Sequence, residues 1–289
     1  MIFEHKPVLL KEAVEYLSIK DGLRYIDATA GGGGHTWEII KRGGKVLAID
    51  QDPDAAAFLQ EKFAKEKNVT VCQANFSQLE FEANKNGFEK VAGILFDLGL
   101  SSYQIEASGR GFSFRREEKL DMRMDKKRNL TAGEIVNTWT RDELYEIFSA
   151  FGEQHDSYRI IDFILKERQE KQIETGSELA KIIEKAVGKG GLSHPATKVF
   201  QALRIAVNDE LGSLKKGLPQ ALKLLEKNGR IVVISFHSLE DRIIKRTFID
   251  YETKQFGKII TKKPVMSQVE ELEKNVRARS AKMRVFEKN

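Results

Sequence analysis

The sequence predicts an α/β protein in which a parallel, doubly wound sheet is interrupted by a helical insertion. Three observations predict it. Short apolar and β-branched runs alternate with helix-length segments through about the first hundred residues. From about Ile105 to His194 no strand pattern stands out, and helical periodicity takes over. Strand character then returns at Arg230–Ser235. Alternation of strand and helix implies parallel pairing with crossover helices, so the expected architecture has seven strands, with the insertion after the fourth.

The first four strands are expected at Leu23–Thr29, Lys45–Asp50, Val69–Ala74 and Val91–Leu98. A helix at Pro53–Lys65 starts with Asp52 as N-cap and Pro53 at the first helical position. The insertion reads as helices at Thr131–Thr138, Arg141–Phe151, Ser157–Lys171 and Ser177–Val187. Thr140 with Glu143 forms a capping-box pattern, and Gly152 and Gly188 are stop signals. Helices follow at Pro195–Val207 and Leu211–Glu226, the latter ending at Asn228-Gly229. After the fifth strand come a helix at Leu239–Asp250 and two weaker strands at Lys258–Thr261 and Met283–Phe286. The domain boundaries expected from this pattern are 1–104 with 195–289 for the sheet and 105–194 for the insertion.

No stretch approaches the roughly 20 apolar residues of a membrane span. Met1–Leu10 has no apolar signal region, which makes the cytoplasm the expected compartment. One cysteine, Cys72, excludes an intramolecular disulfide and a multi-cysteine metal site, and no metal ligands are assigned. The formal charge of +5 is unevenly placed. Residues 241–289 hold 13 Lys and Arg against 7 Asp and Glu, an excess of +6, so the rest of the chain sums to −1. Arg110–Arg128 is a second basic stretch, with eight Lys and Arg against four Asp and Glu. Such excess favours polyanions, although a solvated surface gives the same composition.

Ile26-Asp27-Ala28-Thr29-Ala30-Gly31-Gly32-Gly33-Gly34-His35 reads as a strand running into a glycine turn and then a helix. Glycine permits positive φ and close ligand approach, and the following helix offers free N–H donors to a carboxylate or phosphate. Asp50 ends the next strand, nineteen residues after Gly31, where an acidic side chain can accept ribose hydroxyls. A dinucleotide fingerprint fails in both registers, because Thr36 or Trp37 stands where the third glycine belongs. A Walker A loop fails for want of Gly-Lys-Ser/Thr. S-adenosylmethionine (AdoMet) fits this pattern best; a tight turn without a ligand is the alternative.

Several blocks resemble the MraW/RsmH family, bacterial 16S rRNA (cytosine-N4)-methyltransferases. They include His5-Lys6-Pro7-Val8-Leu9-Leu10, Gly33-Gly34-His35, Phe96-Asp97-Leu98-Gly99-Leu100-Ser101-Ser102-Tyr103-Gln104 and Arg110-Gly111-Phe112-Ser113-Phe114. Further blocks are Leu120–Asp125, His194-Pro195-Ala196-Thr197, Phe200–Ile205, Ile234–Arg242 and Arg277-Ala278-Arg279-Ser280. The resemblance implies a Rossmann-like AdoMet-dependent methyltransferase sheet with an inserted helical domain for substrate recognition. It implies cofactor contacts at Gly33, Gly34, His35, Asp50, Phe76, Asp97 and Gln104. The implied partner is 16S rRNA within the small ribosomal subunit or a late assembly particle, with no membrane, and with a monomer or homodimer as the assembly. Two departures from the family are visible. Val276 stands where a proline is usual, and Gly152–Arg159 lacks the arginines expected after its glycine.

Methylating an exocyclic cytosine amine requires alignment of the nitrogen with the methyl group and an acceptor for the developing charge or proton. The Asn/Asp-Pro-Pro-aromatic clamp of many amino-methyltransferases is absent; Asp97-Leu98-Gly99-Leu100 stands there. Asp121, Arg123 and Asp125 would share a face if their segment were extended, or the aspartates pair with nearby arginines. His237, after the fifth strand, is a base, an RNA ligand or a supporting hydrogen-bonding residue. Arg110, Phe112 and Phe114 combine charge with stacking faces, as on unpaired bases, or else pin the insertion. These substrate-side candidates leave the catalytic base unassigned. Two rivals remain at this level: a methyltransferase with another substrate, and a non-catalytic RNA-binding protein.

Overall fold

The computed structural model describes residues 7–152, 156–188 and 194–289. The chain forms two compact units, Met1–Ser101 with Leu211–Asn289, and Ser102–Glu210. The first unit opens with α1 (Leu10–Leu17) and β1 (Arg24–Asp27), followed by α2 (Gly34–Lys41) and β2 (Lys45–Asp50). Then come α3 (Pro53–Lys62), β3 (Val69–Gln73), a 3-10 turn at Phe76–Gln78, α4 (Leu79–Lys85) and β4 (Val91–Asp97). The expected cap of α3 is present: the Asp52 carboxylate accepts from the Asp54 N–H, and Pro53 occupies the first turn.

The second unit is helical: α5 (Ser102–Glu106), α6 (Ala132–Thr138), α7 (Arg141–Ala150), α8 (Ser157–Glu170), α9 (Gly176–Val187) and α10 (Ala196–Asn208). Thr140 and Glu143 make the expected capping box on α7. A second box, Thr175 with Glu178, starts α9 one residue before the expected Ser177. Gly152 is required where α7 meets α10, since a Cβ there would crowd the Phe148 and Lys198 carbonyls. The sequence pattern groups α10 with the sheet; in the structure α10 packs against α6, α7 and α9, and the unit runs on to Glu210. The cause is a helix buried on several sides, through Val199, Leu203, Ile205 and Val207. Its last residue, Asn208, also hydrogen-bonds the backbones of Met122 and Met124.

The chain returns to the first unit along α11 (Glu210–Leu224) and continues through β5 (Leu225–Ser235), α12 (Ser238–Thr253), β6 (Gly257–Ile259), α13 (Val269–Lys274) and β7 (Lys282–Lys288). The seven strands are ordered β3-β2-β1-β4-β5-β7-β6. The strictly parallel expectation is corrected at one edge: β7 runs antiparallel to both β5 and β6. It enters the sheet between two strands that α12 already joins as a crossover. The helix expected to reach Glu226 instead ends at Leu224. β5 begins at Leu225 and carries an irregularity opposite Val91–Gly93, with Asn228 at φ 62. The Asn-Gly pair therefore bends a strand and does not end a helix. No helix among the described residues is long and apolar enough to cross a membrane.

Both faces of the sheet are buried, which explains strands that are almost continuously apolar. Ile26, Leu47, Ile49, Ile94, Phe96 and Val233 face one core with Leu79, Leu218 and Phe248. Tyr25, Val46, Ala48, Leu95, Val232 and Ile234 face the other with Leu17, Ile39 and Leu59. Neighbouring residues on a strand go to opposite cores, as the two-residue period requires. The loops at the carboxyl ends of β1, β2 and β4 therefore converge at one edge of the first unit.

Candidate functional site

At that edge the turn after β1 is held from three strands. The Asp27 carboxylate accepts from Thr36 Oγ1 (2.7 Å) and the Thr29 N–H (3.4 Å), tying the strand end to the first turn of α2. Thr29 Oγ1 accepts from the Asp97 N–H at 2.6 Å, which locks β4 to the same turn. The two Asp50 oxygens accept from the Gly31 and Asp52 N–H groups, each at 2.8 Å. Lys62 reaches across from α3 and donates to the Gly32 carbonyl at 2.7 Å. Burial holds that ammonium below the usual lysine range.

The glycines divide by purpose. Gly31 has φ 50, and a Cβ there would meet nothing closer than 4.0 Å, so the turn is open at this point. Gly33, at φ 72, caps α2, and a Cβ there would lie 2.7 Å from Phe63 and 2.8 Å from Leu59. A Cβ on Gly34 would overlap Pro7. Gly33 and Gly34 thus let α2 sit against α3 and the N-terminal segment, a packing reason that the sequence did not reveal.

Asp27, Asp50 and Asp97 each place a carboxylate at this edge. Burial lifts Asp27 to about 6 and Asp50 to about 7, against weaker opposing hydrogen bonds. Asp97 is raised well above its ordinary value by burial first and by Asp27 second, while the Arg277 guanidinium opposes the shift. Asp97 Oδ2 lies 3.6 Å from His35 Nδ1, with the His35 side chain buried and that of Asp97 nearly so. Asp97 Oδ1 is buried with no hydrogen-bond partner among the described residues. An acceptor left in that condition costs free energy unless a ligand donor reaches it.

Phe76 lies in the core: 8% exposed, edge-on to Phe96 at 5.5 Å, with its ring against Gly217. His237 caps α12, with the Glu240 N–H directed at its Nδ1 (3.4 Å), while Glu240 Oε2 accepts from the Phe236 and His237 N–H groups. Of the expected cofactor contacts, His35, Asp50 and Asp97 come together at the strand ends, and Gln104 lies in the second unit, buried on α5. Two contributors, Asp27 and Arg277, received no role from the sequence. Asp27 lies at the head of the glycine turn and Arg277 in Arg277-Ala278-Arg279-Ser280, and only the fold brings them to Asp97.

In the second unit, Arg110 is buried; its guanidinium donates to the Arg123 and Met124 carbonyls and lies 5.6 Å from the Phe112 ring. Phe112 is buried, and Phe114 stacks on His194 at 4.3 Å with Phe200 edge-on at 5.3 Å. These contacts all lie within the second unit. The segment around Asp121 is not extended, because Met122 takes φ 59. Asp121 forms a two-pronged pair with Arg123 at 2.7 and 2.8 Å. Burial pushes the Asp121 carboxyl up, but Arg123 outweighs it and the net shift is downward. Asp125 accepts from the Lys127 N–H at 2.9 Å. Residues 153–155 and the side chain of Val276, where the sequence departs from the family pattern, lie outside the described residues.

A seven-stranded sheet with one reversed strand, a glycine turn after β1 and carboxylates ending β2 and β4 define a Rossmann-like methyltransferase. A family model described as the MraW methylase family matches residues 2–289. A ribosomal RNA small subunit methyltransferase H from Halothermothrix orenii is 46% identical over 99% of both chains. The protein of the same name from Acetivibrio thermocellus is 43% identical over 100% of both. The chain belongs to the MraW methylase family, and it is an AdoMet-dependent methyltransferase.

Proposed function

We propose that this enzyme methylates N4 of a decoding-centre cytosine in the 16S rRNA of the small ribosomal subunit, in the cytoplasm. The observation that carries this reading is the end-to-end 46% identity to a relative named as a small subunit rRNA methyltransferase. The substrate is the small subunit or a late assembly particle. On this reading the sheet unit holds the cofactor and the helical unit recognises the RNA.

The residues at the strand ends fit AdoMet. Asp97 Oδ1, buried without a hydrogen-bond partner, suits the methionyl ammonium. Asp50 uses one lone pair of each oxygen on backbone N–H groups and keeps the others for ribose hydroxyls. Gly31 leaves the turn open to close approach. When bound, AdoMet supplies an electrophilic methyl on a cationic sulfur, and a cationic ligand favours the ionised forms of Asp27, Asp50 and Asp97 that burial otherwise disfavours. Thr29, Thr36 and Lys62 fix the turn, so the carboxylates are oriented before the ligand arrives.

The test is to incubate tritiated AdoMet and the purified enzyme with small subunits that lack the modification, then map rRNA nucleosides by mass. N4-methylcytidine at one 16S position is the expected product. Label in another RNA or in protein, with none in 16S rRNA, would sink the reading.

A further inference from the structure

The basic excess of residues 241–289 separates in the structure into engaged and unengaged charges. Asp241 accepts from Arg284 Nε at 2.6 Å and lies 3.8 Å from Lys282 Nζ. Glu287 holds Arg230 and Lys258, each at 2.8 Å, and Asp250 holds Lys254 at 2.8 Å. Glu252 and Glu271 are engaged with the Ile259 and Leu9 N–H groups. Lys245, Arg246, Lys262, Lys263 and Arg279 are all exposed, and no ion pair or hydrogen bond engages their side chains among the described residues.

Topology gathers these five on one side of the first unit. β7 starts at Lys282, paired with Ser235 at the carboxyl end of β5, one register step beyond the pairing of Asp97 with Ile234. Arg279 lies three residues before that start. The Asp241–Arg284 pair fastens the first turn of α12 to β7, and Lys245 and Arg246 follow one helical turn later. Thr261 Oγ1 accepts from the Val285 N–H, and Val265 pairs with Met283, so Lys262 and Lys263 project from a loop beside the same end of β7.

We propose that Lys245, Arg246, Lys262, Lys263 and Arg279 form a phosphate-binding band that holds the RNA backbone beside the cofactor edge of the sheet. The inference rests on the proposed function and adds the surface that grips the substrate. Five cations with no ion-pair partner among the described residues, carried on adjacent segments, repel one another, and a polyanion relieves that repulsion by exchanging its counterions for them. The band contains no bulky aromatic group, so it positions a backbone and does not read bases.

The test replaces all five with glutamine in the full chain and measures equilibrium binding to small subunits across a salt series. Circular dichroism and AdoMet calorimetry on the same variant report on the fold and the cofactor site. The expected result is unchanged AdoMet affinity, RNA binding weakened more than about a hundredfold at low salt, and a log–log salt slope shallower by roughly 3.5–4.5. Should the fivefold variant misfold, Lys245→Gln and Arg279→Gln alone should each reduce the slope by about 0.7–0.9. A wild-type enzyme that binds and methylates subunits, with variants of identical affinity and slope, would overturn this band alone. A wild-type enzyme that binds anionic lipid vesicles but neither subunits nor naked 16S rRNA would overturn the band and the proposed function together.

Discussion

Asp50 and Asp97 were legible as strand-end carboxylates, but what each does depends on its neighbours. Burial holds Asp27 at about 6 and Asp50 at about 7, so both gain negative charge as pH rises through those values. A cationic cofactor prefers the charged form. Calorimetry should therefore find AdoMet binding roughly tenfold weaker at pH 5.5 than at pH 8, with proton release at the lower pH. An affinity flat across that range would contradict the arrangement. Stability of the ligand-free chain has the opposite sign. Unfolded carboxyls ionise near 3.8, whereas the folded ones keep their protons to about 6 and 7, so this contribution is lost as pH climbs between those limits. Asp97→Asn removes the carboxylate that a cationic ligand would ionise at the unpartnered Oδ1. It should lower AdoMet affinity on the order of 10- to 100-fold, the range of a hydrogen bond to a charged group. Circular dichroism should show the fold intact.

At the level of elements, the signals that carried through were local ones. The caps at Asp52 and Thr140 were readable because a cap needs only residues within one turn. The same rule would have found Thr175 with Glu178. His237 shows the limit of such reading: sequence left it as base, ligand or support, and the structure makes it the N-cap of α12. His237→Ala should cost about 1 kcal/mol by denaturant unfolding, and His237→Asn should recover most of it. An asparagine variant with recovered stability but no methylation would assign the imidazole a chemical role beyond capping. Gly33 and Gly34 were legible as a turn, but their crowding against Leu59, Phe63 and Pro7 was not, because those partners lie far along the chain or on other elements.

Across the whole molecule, ligand binding and folding are linked through the first unit. AdoMet at about a hundred times its Kd should add about 2.7 kcal/mol of stability, and raise Tm by roughly 5–10 °C in a thermal-shift measurement. No shift at that concentration would count against the strand-end edge as the cofactor site. Sequence by itself determined the α/β class, the seven strands, the insertion after β4 and the strand-end positions of Asp50 and Asp97. These follow from two-residue and 3.6-residue periods and from caps, all of which act over short stretches of chain. Only the tertiary structure decided that β7 enters antiparallel between β5 and β6, that α10 packs with the insertion, and that Arg110 and Phe112 are buried while Phe114 stacks on His194. It also decided that Asp27 and Arg277 act on Asp97. Those outcomes depend on burial and on charges brought together from distant positions, and no local pattern records which distant residue will supply the partner.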